Sequence, residues 1–122
     1  MAKFSKQIQD FLTAVAADPD QHVQIVPKSD SCADPGDVLF FRYQLGEGKG
    51  SRAERLFMVV EPITREPATG NLLLIGFKVP DDGDYTPNSL NTLYKKKALP
   101  RDGFRTYIMT KIFGPLRRIR KE

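Results

Sequence analysis

Two residue types that can move a proton or attack carbon near neutral pH occur once each, His22 and Cys32. His22 follows Asp18 and Asp20, but one histidine beside acids falls short of a catalytic constellation and reads as a surface residue. Cys32 lies between Asp30 and Asp34, whose charges raise a thiol pKa and argue against an activated nucleophile. A single cysteine also closes no internal disulfide and builds no zinc cluster. The glycines of Gly46-Glu47-Gly48-Lys49-Gly50-Ser51 superficially suit a phosphate loop. The GxxxxGK[ST] spacing is absent, however, and no helix begins there to offer free N–H groups, so the segment reads as a hairpin connection. Asp81, Asp82 and Asp84 flank Gly83 without the EF-hand pattern. These residues predict a non-enzymatic binding protein that needs no metal and no cofactor.

Binding chemistry is carried by the cations. From Tyr94 onward there are ten Lys or Arg against Asp102 and Glu122, a net of about +8, while the preceding residues carry about −4. Such asymmetry points to an anionic partner, either a nucleic acid or an acidic protein surface. Arg42, Tyr43, Lys49, Arg52 and Arg55 cluster around one loop, and Lys95, Lys96, Lys97, Arg105, Tyr107 and Lys111 follow later. Cations neutralise phosphates while aromatic rings stack on bases, so the combination suits a nucleic-acid strand. Tyr43 and Tyr107 equally suit barrel positions with their hydroxyls at the rim. Arg117, Arg118 and Arg120 lie in a basic tail able to contact phosphates without sequence preference.

The elements that must position these groups follow from periodicity. Phe4, Ile8, Phe11, Leu12 and Val15 recur at helical spacing and predict an amphipathic helix ending at Asp18-Pro19. It either lids the core or docks a partner through Phe4, Ile8 and Phe11. Val23 and Ile25 alternate with Gln24 in a short strand that Pro27 ends. Pro35-Gly36-Asp37 is a turn, and Val38 to Tyr43 a strand rich in β-formers. Leu56 to Val60 and Leu72 to Val79 form a predicted hairpin across Pro67 to Asn71. Both are nearly continuous apolar runs, which predicts cover on both faces. Thr86 or Asn88 caps a short helix with Leu90, Leu93 and Tyr94 inward and Lys95 to Lys97 outward. Phe104 to Phe113 fits either period, and its β-branched and aromatic content favours strand. Gly114-Pro115 then interrupts. The expected fold class is α+β, mainly β: one domain, with an N-terminal helix to residue 18, a small barrel over 23–113 with a helical insertion near 87–97, and a basic tail over 114–122.

The Leu74 to Phe77 strand, paired with Phe104-Arg105-Thr106-Tyr107-Ile108-Met109-Thr110-Lys111-Ile112, resembles the end of WYL domains. Those are Sm-like or SH3-like small barrels of bacterial regulators, also encoded by phages. The resemblance covers roughly a third of the chain, and the name-giving tripeptide falls on Leu72-Leu73-Leu74. It implies a ligand- or nucleic-acid-binding barrel with Arg105, Tyr107 and Lys111 at the matching positions. Two functions are therefore expected as alternatives: a nucleic-acid-binding module, or a structural subunit of a multi-protein assembly such as a phage particle. With no apolar h-region after Met1, no long apolar run and no disulfide framework, the expected setting is cytoplasmic or within a virus particle, without a membrane.

Overall fold

Val38-Leu39-Phe40-Phe41 contains no polar residue, and a strand built from such a run must bury both of its faces. The computed structural model shows how this is achieved. It describes residues 6–46, 52–80 and 85–120; within the helices some side chains, among them those of Ile8 and Phe11, lie outside that description. In chain order come α1 (Lys6–Ala17), α2 (Pro19–His22), β1 (Val23–Val26), β2 (Val38–Gln44), β3 (Arg52–Val59), β4 (Thr64–Arg65) and β5 (Leu72–Lys78). Then follow α3 (Pro87–Lys95), β6 (Phe104–Ile108) and β7 (Ile112–Ile119), with 3₁₀ turns at Arg101–Gly103 and Met109–Lys111.

All pairings are antiparallel, in the order β1-β7-β2-β3-β5-β4, with β6 on the other side of β5. The sheet curls into a half-barrel. Two rings show the curl directly: β2 and β6 are separated in the sheet by β3 and β5, yet Tyr43 and Tyr107 lie 4.6 Å apart, centroid to centroid. Phe41 and Phe57 complete this aromatic group with edge-on contacts to Tyr107 at 5.6 and 5.1 Å. Such pairs contribute about 0.5–1.5 kcal/mol each beyond the area they bury. Leu39, Val59, Leu74, Met109, Ile112 and Leu116 fill the rest of this inner core.

The other face carries a second core of Val38, Phe40, Leu56, Met58, Phe77 and Val79, closed by Leu90, Leu93 and Tyr94 of α3. The capping question is settled on Thr86: its side chain accepts from the Ser89 N–H at 3.2 Å, and the Ser89 hydroxyl accepts from the Thr86 N–H at 2.8 Å. Gly36, at φ +96°, lets the turn before β2 pass beneath the Tyr94 ring, where a Cβ would stand 3.3 Å from it.

Four expectations change. The connection between β3 and β5 contains β4, so the turn at Pro67 to Gly70 closes the β4–β5 hairpin. Residues 104–113 are not one strand but β6, a 3₁₀ turn and the start of β7. The segment read as an interruption and a basic tail is β7 itself, held between β1 and β2. Its Gly114 and Pro115 are taken up by a register shift between Phe40 and Arg42, the kind of bulge where a proline fits a central strand. In β1, Val23 and Val26 are buried while Ile25 is exposed.

Helix α1 stops before Pro19, as the restriction on the residue before a proline requires. Its described side chains, from Gln9 to Ala17, are exposed. Phe4 lies outside the described residues. No helix among those described is long and apolar enough to cross a membrane.

Candidate nucleic-acid interface

Helix α3 covers only part of the outer face. Beyond Phe40 and Leu56 the same face continues as Arg42 and Gln44 on β2 and Arg52 and Glu54 on β3. Alternation makes this inevitable: residues two apart share a face, so the side of β2 that begins Val38, Phe40 goes on as Arg42, Gln44. Across β2, the cross-strand partners on β7 are Arg117 opposite Phe40 and Phe113 opposite Arg42. Beyond Arg117, Ile25 of β1 closes the row.

The bulge at Gly114 and Pro115 is what assembles this patch. Phe113 and Arg117 face positions only two apart on β2. They therefore sit about 7 Å apart along the sheet, where four regular residues would hold them about 13 Å apart.

Each cation has a defined seat. The Arg52 guanidinium carbon lies 3.4 Å above the centre of the Phe113 ring, and its Nε donates to Gln44 Oε1 at 2.9 Å. Arg117 stacks 4.4 Å above Phe40. Arg42 lies 3.7 Å from Glu54, both side chains about half exposed. Burial pushes the Arg117 pKa down; the charge of Glu54 opposes that shift and the charge of Arg42 adds to it. Arg117 thus feels both Arg42 and Glu54. Among the described residues, three guanidiniums against one acid leave the patch with an excess of positive charge. Arg117 also keeps a buried Nε without a hydrogen-bond partner in the structure. Around these cations Phe113 and Ile25 are exposed by 44% and 70%.

The remaining predicted site residues that the structure describes do not join this patch. Tyr107 is a correction: it is 6% exposed, enclosed by Phe41, Tyr43 and Phe57, and has no open ring face to stack on a base. Burial raises its phenol pKa, against the lowering charge of Arg55. Arg118 is a structural residue, donating to the Cys32 carbonyl at 3.1 Å and to Gln24 Oε1 at 2.8 Å. Arg120 is exposed at the end of β7, where its N–H donates to the His22 carbonyl at 2.8 Å. Lys95, Lys96 and Lys97 are exposed at the end of α3, and Lys111 in the second 3₁₀ turn. Arg105 donates to the carbonyls of Asp102 and Phe104, both at 2.7 Å, beside an open cleft of about 370 Å³ that Lys78 and Tyr85 also line. Lys49, most of the glycine loop and Asp81 to Asp84 lie outside the described residues.

Phe113 and Phe40, the two rings that carry the cations, are absent from the sequence expectation. The signal for Phe113 was available in its even spacing to Arg117, but it required reading a strand straight through Gly114-Pro115. Cys32 is buried, and burial rather than its acidic neighbours dominates the upward shift of its thiol pKa. Among the described residues no group of three or more His, Cys, Asp or Glu is placed to hold a metal ion. No family model, no curated protein and no solved structure matches the chain.

Proposed function

We propose that this chain is a non-enzymatic nucleic-acid-binding module whose contact surface is the uncovered part of the outer sheet face. The observation that carries this reading is the convergence of Arg42, Arg52 and Arg117, from three neighbouring strands, on one surface where Glu54 is the sole acid among the described residues. Guanidiniums anchored on a rigid sheet neutralise phosphates at little entropic cost, because stacking and hydrogen bonds already restrict them. Lys95 to Lys97, Arg105, Lys111 and Arg120 add longer-range attraction rather than a shared contact surface. A small SH3- or Sm-like barrel is the finer fold assignment, supported by the curl of the antiparallel sheet and the 3₁₀ turn joining β6 to β7.

The test is fluorescence anisotropy with labelled DNA and RNA oligonucleotides at two salt concentrations, on the whole chain and on Arg42→Ala/Arg117→Ala. Binding that falls steeply with salt, and a smaller salt slope for the double variant, is the expected result. Absence of binding at low salt overturns the reading.

A second reading, a subunit of a multi-protein assembly, draws on the exposed Ile25 beside the same patch and on Leu45, exposed just after β2. Association through those side chains and the helix residues Phe4, Ile8 and Phe11 would tolerate salt, since apolar burial does not depend on counterion release.

A further inference from the structure

Taking the nucleic-acid reading as its basis, we infer that the strand bound is single, and that an unpaired base stacks on the Arg52–Phe113 pair. A separation of 3.4 Å between the guanidinium carbon and the ring centre is the contact distance of stacked planar groups. A guanidinium laid on a ring presents its outer face as a cationic platform, and bases stack on arginine planes as they do on aromatic rings. Two further observations point the same way. Arg52 is held in place by its Nε hydrogen bond to Gln44, so the platform is formed before any ligand arrives. Phe113 is 44% exposed, an unusual state for a phenylalanine in a strand flanked on both sides.

The neighbouring cations fit the rest of a nucleotide chain. Arg42 is the cross-strand partner of Phe113, and Arg117 lies one same-face position further along the sheet. A base on the platform therefore has guanidiniums on one side for its flanking phosphates. A duplex meets this surface differently: its bases are already stacked on each other, and only its phosphates reach the sheet. The preference for a single strand thus comes from the platform, and the affinity shared by all nucleic acids comes from Arg42 and Arg117.

The experiment compares three labelled ligands with equal numbers of phosphates at low salt: a single strand, the corresponding duplex, and a single strand lacking its bases. The intact strand is expected to bind about tenfold tighter than the abasic one, the value of one stacked base. Phe113→Ala should remove that advantage, weakening binding of the intact strand more than binding of the abasic one. Arg52→Lys, which keeps the charge but loses the plane, should weaken binding of the intact strand while preserving the salt slope; circular dichroism of each variant establishes that it is folded. Equal affinity for intact, abasic and duplex ligands, unaltered in folded Phe113→Ala, overturns the stacking inference and leaves the nucleic-acid reading standing. Failure of all three ligands to bind at low salt overturns that reading itself.

Discussion

The hydroxyl of Tyr43, in β2, accepts a hydrogen bond from the backbone N–H of Ile108, at the end of β6, at 3.0 Å. The two residues are 65 positions apart, and the bond ties the middle of the sheet to the strand at its far side. Without the hydroxyl, the Ile108 N–H would lose its partner in a partly buried setting. Tyr43→Phe is therefore expected to cost about 1–2 kcal/mol, seen as a lower urea midpoint with an unchanged m-value. An unchanged midpoint would mean that water replaces the hydroxyl at no cost.

Glu54 is the acid that the cationic face carries beside Arg42. Phosphates approaching Arg42 must come close to its carboxylate. Neutralising it with Glu54→Gln should tighten nucleic-acid binding roughly two- to fivefold at low salt, in keeping with the small energies of exposed pairs. Weaker binding by the variant would show that Glu54 orients Arg42 more than it repels the ligand.

Cys32 and Tyr107 have pKa values raised by burial above their ordinary 9.0 and 10.0. Their neutral forms are favoured in the folded state, so their contribution to stability is fully present below about pH 9. It is lost as pH rises through the raised folded values, because the unfolded chain ionises first. Denaturant midpoints should fall above about pH 9, and Cys32→Ala should fall less steeply than the parent chain. The same burial predicts that Ellman's reagent labels the thiol quickly only after denaturation.

Lys97 takes φ +55° just after α3, with its N–H bonded to the Tyr94 carbonyl and the Ala98 N–H to the Leu93 carbonyl. That left-handed position suits glycine better than a residue with a Cβ. Lys97→Gly is expected to stabilise the chain by about 0.5–1 kcal/mol in thermal or urea melts. A loss of stability would show that the unfolded-state entropy of the added glycine outweighs the relieved strain.

Much of the framework was legible in the residues themselves. Apolar runs at Val38 to Phe41, Leu56 to Val60 and Leu72 to Ile75 demanded a mainly β chain with both sheet faces covered, because that many adjacent apolar side chains cannot be hidden on one side. The inward Leu90, Leu93 and Tyr94 of α3 and the turn at Gly36 followed from local periodicity and turn chemistry. These features depend on neighbours in sequence, so a sequence displays them.

Tertiary structure alone decided the site. Whether Tyr107 stacks on a ligand or fills a core depends on where Phe41 and Phe57 lie, and the curl of the sheet places both against it. The basic stretch after Gly114-Pro115 became a strand because β1 and β2 supply backbone partners on both sides and a bulge absorbs the proline. Summed charge correctly marked the second half of the chain as basic, yet Arg117 and Arg118, adjacent in sequence, part company across the pleat. Arg117 joins Arg42 and Arg52 on the open face, while Arg118 is spent on the Cys32 carbonyl and Gln24. Charge is a property of composition; which charges share a surface is set by strand register, and register is fixed by contacts between residues far apart in the chain.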